Sequence, residues 1–263
     1  MHHAVKPLTP SEKVSIAIAM TWAAGFVDIV GYISLYGLYT SHMTGNTVAM
    51  ARHIADMQWI GVVRSGWPIL AFVTGLLLGA FIYEAEKRRR IRVPFPLVIG
   101  LETLMLAIFI AAGIGSGYRP DIPPQPAGKF FVMVALLATS MGMQNVAIKK
   151  VSGVNVYTTF VTGSLVKFAE GLSEYLFWLY DRTRHRCWHR IILVFRISLH
   201  MQSFQRAALT LSLWTAYLGG AVCGGFSIKW WALLGMAGPT GLLFTIAVYG
   251  AFRPFLPLSS DEW

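Results

Sequence analysis

Charge is scarce in this sequence: Asp, Glu, Lys and Arg make up 13% of 263 residues, where a soluble domain carries about a quarter. The shortage excludes an ordinary water-facing surface over most of the chain. Cysteine is almost missing too. Cys187 stands in an arginine-rich stretch and Cys223 in an apolar one, and their separation fits neither a disulfide framework nor a zinc-ligand spacing. Also lacking are a Walker-type phosphate loop, a dinucleotide-binding fingerprint, a zincin motif and any nucleophile–base set. The expectation is a protein that is not an enzyme and carries no cofactor. Asp181, His185 and His189 do recur at helical spacing around Cys187, but arginines crowd them, so no metal site is expected there.

What the chain does have is long apolar runs. Val14–Leu38 holds one charge, Asp28; Val93–Ile114 holds one, Glu102; Phe130–Ile148 and Trp230–Phe252 hold none. Runs of about 18 residues or more match the hydrocarbon thickness of a bilayer. Trp67–Tyr83 and Ala207–Ser227 follow the rule less cleanly, which brings the expected transmembrane helices to about six. The first run is too long, and too polar at Asp28, for a cleaved signal peptide. The formal charge of +10 then reads as basic loops beside membrane spans. No span-free basic domain remains to bind nucleic acid.

Internal self-similarity organises these runs. Tyr39-Thr40-Ser41-His42-Met43-Thr44-Gly45-Asn46 returns as Tyr157-Thr158-Thr159-Phe160-Val161-Thr162-Gly163-Ser164. Gly25-Phe26-Val27-Asp28 aligns with Gly142-Met143-Gln144-Asn145. Ala71-Phe72 with Gly75, Gly79 and Phe81 aligns with Ala216-Tyr217, Gly220, Gly224 and Phe226. The chain reads as a single transmembrane domain, residues 1–263, with one repeat over about 14–114 and a second over about 130–252. The second carries a basic insertion at about 181–206. Each repeat is a long helix, a Thr-Gly turn, a short helix (Thr44–Met57 and Thr162–Tyr180), a glycine-lined helix and a long helix.

If the short helices cross the bilayer, the two halves are parallel; if they re-enter, each half has three crossings and the halves are inverted. Charge favours re-entry. With a cytoplasmic N-terminus and re-entrant short helices, seventeen of the 22 lysines and arginines fall inside and five outside, as the positive-inside rule asks. The expected fold is an all-α membrane protein: two inverted three-helix repeats, each with a short re-entrant helix, and both termini cytoplasmic. Within the insertion, Trp188, Ile191, Ile192, Phe195 and Leu199 form an apolar stripe flanked by arginines, the pattern of an in-plane helix or of a solvated loop.

Polar residues inside the apolar runs mark the candidate site. Thr44-Gly45-Asn46 and Thr162-Gly163-Ser164 read as helix starts, with the threonines as N-caps and the glycines allowing a sharp turn or a ligand's close approach. A helix starting at membrane depth exposes N–H donors and partial positive charge, which can hold an anion or a polar solute. A capped turn with no ligand is an equal reading. Asp28 is costly in the centre of a span and must face protein or water. Gly25, Asp28 and Tyr32 share one helical face, which puts the carboxylate on a packed seam as a proton or cation carrier, or as an acceptor for hydroxyls and amides. Its second-repeat counterpart is Asn145, beside Gln144, and both are expected to face inward. Lys167, one turn after Gly163, either attracts an anion or pairs with Glu170 or Glu174. Glu102 is expected to snorkel to the inner interface. Gly75/Gly79 and Gly220/Gly224 read as packing ladders.

The strings Ala24-Gly25-Phe26-Val27-Asp28, Ser41-His42-Met43-Thr44-Gly45-Asn46-Thr47, Met141-Gly142-Met143-Gln144-Asn145 and Thr158-Thr159-Phe160-Val161-Thr162-Gly163 resemble those of the YoaK-like family of bacterial multipass membrane proteins. The likeness covers nearly the whole chain outside 182–206. It implies a multipass protein of the bacterial cytoplasmic (inner) membrane and brings no activity, substrate or catalytic residue, the family being of unknown function. The functional expectation therefore rests on the residues: a small secondary transporter or permeation protein for a polar solute, anions included. Its binding residues would be Asp28, Thr44, Gly45, Asn46, Gln144, Asn145, Thr162, Gly163, Ser164 and Lys167. The rival is a non-transporting scaffold or assembly partner whose polar seam only specifies packing. The partners expected are the lipid bilayer and that solute, without nucleic acid; a homo-oligomer is compatible with the same pattern.

Overall fold

Thr9 starts the first helix. Its hydroxyl accepts from Glu12 N–H (3.3 Å) while the Glu12 carboxylate accepts from Thr9 N–H (2.7 Å), a reciprocal cap with Pro10 at the first helical position. The helix so begun is α1 (Pro10–Ser34). It is followed by α2 (Met43–Ala55), α3 (Trp59–Arg89), α4 (Pro94–Gly115), α5 (Gly128–Ser152), α6 (Val161–Thr183), α7 (Gln202–Trp231), a 3-10 turn (Ala232–Met236) and α8 (Ala237–Phe252). The structure is a computed structural model that describes residues 8–89, 94–115, 128–152, 161–184, 197–198 and 201–253. Among the described residues every regular element is a helix and none is a strand.

Five segments are long and apolar enough to cross a membrane: Pro10–Ser34, Trp59–Ala85, Pro94–Gly115, Gly128–Lys149 and Gln202–Phe252. The last, 51 residues, contains α7, the 3-10 turn and α8. Trp230–Phe252, expected as one straight run, is therefore broken at Ala232, whose φ is +48°. The chain is an all-α multipass membrane protein.

Glycines decide which helices touch. A Cβ on Gly25 would lie 2.1 Å from the Tyr217 carbonyl oxygen, and one on Gly220 would lie 1.9 Å from that of Trp22. Gly224 lies against Phe26 and Ile29, so residue numbers rise together along the seam and α1 and α7 run in the same direction. The other pair repeats this contact. Gly75 meets the Thr139 carbonyl oxygen (2.1 Å), Gly142 meets that of Phe72 (2.3 Å) and Gly79 meets Val146, so α3 and α5 also run in the same direction. Each repeat thus lays its glycine-lined helix on the other repeat's long helix. Only a residue without a side chain lets two backbones approach so closely.

The remaining long helices close the bundle. Gly113 meets Leu233 and Met133, while Gly250 meets Phe95 and Pro96, so α8 runs against α4. Tyr249 and Arg253 at the end of α8 donate to the Glu12 carboxylate at the start of α1, at 2.9 and 3.0 Å. Met20, Phe95, Phe109, Leu137, Met141 and Leu243 fill the core between α1, α4, α5 and α8.

Several expectations need correction. The second short helix is not short: α6 has 23 residues, against 13 in α2. Neither threonine is an N-cap, since α2 begins at Met43 after His42 and the described α6 already begins at Val161. α2 lies antiparallel on α3, His53 against Gly61, and α6 lies on α7, Gly171 against Ser203 and Ala207; among the described residues no extended contact joins α2 and α6. Glu102 does not snorkel but is fully buried. Tyr32 is exposed and so leaves the seam that Gly25 and Asp28 occupy. Residues 158–160, the stripe from Trp188 to Leu199, and His185, Cys187 and His189 lie outside the described residues.

Candidate polar site at the end of the first long helix

Asp28 lies six residues before the end of α1, about 9 Å from it along the axis. There the chain doubles back. Tyr36 (φ +55°) and Gly37 (φ +79°) take left-handed conformations, and Gly37 N–H donates to the Tyr32 carbonyl at 2.8 Å. The returning strand of chain lies on α1 because Gly31 leaves room for it: a Cβ there would be 2.7 Å from the Thr40 methyl. Sequence therefore sets the local fold, and the local fold carries Thr40, Ser41 and His42 back over Asp28.

Three hydroxyls surround the carboxylate, which is 6% exposed. Thr40 Oγ1 donates to Asp28 Oδ1 at 2.6 Å, Ser41 Oγ donates to Asp28 Oδ2, and Tyr217 Oη from α7 donates to Oδ2 at 2.8 Å. His42 Nε2 stands 2.7 Å from Tyr217 Oη and 3.7 Å from Asp28 Oδ2. A carboxylate can only accept, so the single phenolic proton of Tyr217 goes to Asp28. Its oxygen must then accept from the imidazole Nε2–H. The order of donation is His42 to Tyr217 to Asp28, and the three residues come from α1, the start of α2 and α7. Asp28 is buried, while the His42 side chain keeps 32% of its surface exposed. A buried charge without donors costs several kcal/mol, roughly what three charge-assisted hydrogen bonds return.

The other expected site residues take different places. Asn46 is buried and fully used: Tyr39 N–H donates to its Oδ1 (3.1 Å) and its Nδ2 donates to the Tyr39 carbonyl (2.7 Å), pinning the returning chain to α2. Gly45 makes room for the Tyr39 ring, which a Cβ would meet at 2.7 Å. Thr44 sits in the first turn of α2. Gln144 and Asn145 face inward as expected; Gln144 Nε2 donates to the Met20 carbonyl on α1 (3.2 Å) and Asn145 Nδ2 to the Met141 carbonyl (2.9 Å). Thr162, Gly163, Ser164 and Lys167 all lie on α6, which packs on α7. The structure thus gathers Asp28 with its own loop and α7.

Tyr217 and His42 were missed as site residues, though the repeat held a signal for both. Where the first copy has Asp28 and His42, the second has Asn145 and Phe160; where α7 has Tyr217, α3 has Phe72. All three titratable members of the cluster have non-ionisable counterparts. Among the described residues no group of three or more His, Cys, Asp or Glu side chains could hold a metal. Two open crevices, one beside Ser15, Trp22 and Thr215 and one along Phe168, Leu172 and Leu176 of α6, include no member of the cluster.

A family model described as "Protein of unknown function (DUF1275)" matches residues 16–249. The UPF0700 transmembrane protein YoaK of Bacillus subtilis (strain 168) is 28% identical over 154 residues, which are 59% of this chain and 64% of that protein. The alignment therefore spans a little under two thirds of the relative's length. No solved structure matches.

Proposed function

The chain belongs to the DUF1275 family, and from that premise we propose that it is a small secondary transporter or permeation protein for a polar solute. In this reading the Asp28–Tyr217–His42 relay is its proton-handling centre. The observation that carries it is the relay itself. A carboxylate, a phenol and an imidazole in hydrogen-bond sequence connect a buried acid to a half-exposed base in an otherwise apolar bundle. Intramembrane ionisable groups of this kind mark proton or substrate pathways more often than packing. The start of α2 reaches the cluster through His42, and the carboxylate at its centre disfavours an anion beside it.

The same reading includes a topology. α1, α3, α4, α5, α7 and α8 cross the inner membrane, and α2 and α6 dip in and return. The directions support this: α1 runs with α7, α3 with α5, and α4 against α8. Alternate crossings then give two inverted three-helix halves with cytoplasmic termini. α2, about 20 Å long, is too short to span the ~30 Å hydrocarbon core.

The test uses purified protein in vesicles that enclose a pH-sensitive dye. Amino acids, sugars, carboxylates and organic cations are added outside in turn. Transport predicts that at least one class drives internal pH change, and that Asp28→Asn and Tyr217→Phe abolish the coupling without loss of insertion. A scaffold is the second reading, favoured by one fact: three hydroxyls of the chain itself already donate to the carboxylate. It predicts no solute response of any class, with Asp28→Leu affecting thermal stability alone.

A further inference from the structure

Glu102 is the least explained polar residue in the protein. It lies on α4 with no exposed surface, among Phe95, Val98, Ile99, Leu106 and Phe109, and neither carboxyl oxygen has a hydrogen-bond partner. Gln144 on α5 is also fully buried; its Nε2 is engaged with Met20, and its Oε1 has no partner.

The helix register places the two together. α4 and α5 pack on each other, and Gly113 of α4 meets Met133 of α5. Eleven residues are close to three full helical turns, about 16 Å of rise, and return to the same helical face. Stepping eleven residues back along α4 and eleven forward along α5 arrives at Glu102 and Gln144. In that register Glu102 and Gln144 stand at about one level of the antiparallel pair. Both Glu102 oxygens and Gln144 Oε1 are buried without a hydrogen-bond partner.

We propose that Glu102 and Gln144 form an internal site for one small monovalent cation, a proton or an alkali ion, held between α4 and α5. A bare carboxylate facing a carbonyl oxygen in an apolar core is strongly unfavourable. One positive charge resolves it: a proton lets the acid donate to Gln144 Oε1, and an alkali ion coordinates all three oxygens. Gln144 also ties the site to α1, the helix that carries Asp28, through its bond to Met20. Of the other described titratable groups on elements packed against α4, the buried Tyr83 on α3 stands nearest in level to Glu102. Lys129 and Lys149 lie toward the ends of α5, and Arg64, Glu84 and Arg88 toward those of α3. Tyr249 at the end of α8 bonds Glu12, and the 3-10 turn carries none. The inference rests on burial and register, and holds whether or not the protein carries a solute.

The test reads the full chain in detergent by infrared difference spectroscopy and by thermal unfolding, in sodium chloride and in choline chloride across a pH series. If the cation is a proton, the wild type has the carbonyl band of a protonated carboxylic acid. That band is lost in Glu102→Gln and moves in Gln144→Leu. If it is sodium, the melting temperature rises in sodium over choline, and the rise is lost in Glu102→Gln. Glu102→Gln supplies the missing donor through its own amide and is expected to fold. Should it not fold, the band shift or loss of the sodium response in Gln144→Leu decides the question. A wild type with neither a protonated-acid band nor a sodium response overturns the proposal, as does a wild-type signal that both variants retain.

Discussion

Replacing Gly220 by alanine puts a methyl group where α1 and α7 touch backbone to backbone. The new carbon would lie 1.9 Å from the Trp22 carbonyl oxygen, and ordinary contact begins at about 3.4 Å. The helices must part by roughly 1.5 Å, because the obstacle is main chain and cannot turn aside. Overpacking of this kind costs about 1–3 kcal/mol, and here the upper end applies because Gly25 faces Tyr217 across the same seam. Alanine's better helix propensity returns about 1 kcal/mol, leaving a net loss near 2 kcal/mol. Two neighbours on the same helix serve as controls. A Cβ on Gly219 would meet only the Trp22 ring at 3.9 Å, and one on Gly225 only Ile29 at 3.8 Å. Gly219→Ala and Gly225→Ala should therefore be neutral or stabilising by up to about 1 kcal/mol. Reversible unfolding in mixed micelles, followed by tryptophan fluorescence, separates the two outcomes. Equal stabilities for Gly220→Ala and Gly219→Ala, within about 0.5 kcal/mol, would refute the α1–α7 seam.

Asp28→Leu leaves the Thr40, Ser41 and Tyr217 hydroxyls without their acceptor and should cost about 3 kcal/mol or more. Tyr217→Phe loses one charge-assisted bond, and a loss of about 1.5–3 kcal/mol in the same unfolding assay is expected. Asn46→Ala breaks both bonds to the Tyr39 backbone and should lower stability by about 2 kcal/mol, with protease sensitivity appearing first between residues 35 and 42. In a cysteine-free background, single cysteines at Arg90 and Arg190 should react with an impermeant reagent only from the cytoplasm, and one at Pro123 only from outside. Opposite sidedness for the first two ends the six-crossing topology.

Much of this architecture was legible in the sequence. The apolar runs located the long helices because bilayer thickness fixes their length, and the glycine pairs located the seams because only glycine tolerates backbone contact. The contacts respect the repeat alignment: Gly25 and Gly142, and Gly75 and Gly220, meet equivalent carbonyls. Helix ends were harder. α2 starts at Met43, one residue before the expected cap threonine, because His42 lies at the turn and its ring reaches Tyr217. Two further features were hidden for a geometric reason. Tyr217 is 189 positions from Asp28, and the full burial of Glu102 depends on a helix register that hydrophobic pattern does not encode. A polar residue in an apolar run announces that it needs company without naming the company.

The two copies also weigh the competing readings of Asp28. At the level of packing they are alike. Gly25 on the Tyr217 carbonyl is mirrored by Gly142 on that of Phe72, and Gly224 beside Ile29 by Gly79 beside Val146. At the level of chemistry they differ, Asp28, His42 and Tyr217 standing opposite Asn145, Phe160 and Phe72. The α3–α5 seam thus achieves the same backbone contact without a carboxylate and with a phenylalanine for the tyrosine. Packing alone therefore does not require the charge on the α1–α7 seam. A feature that costs several kcal/mol to desolvate, and that the equivalent seam dispenses with, needs a reason beyond holding helices together. Proton exchange through His42 and Tyr217 supplies one. The Asp28→Asn, His42→Phe, Tyr217→Phe triple variant tests it directly, because it gives the first seam the residues of the second. It should insert and unfold at close to the wild-type midpoint while losing all solute-driven proton movement. A variant that fails to fold would return the cluster to a structural role.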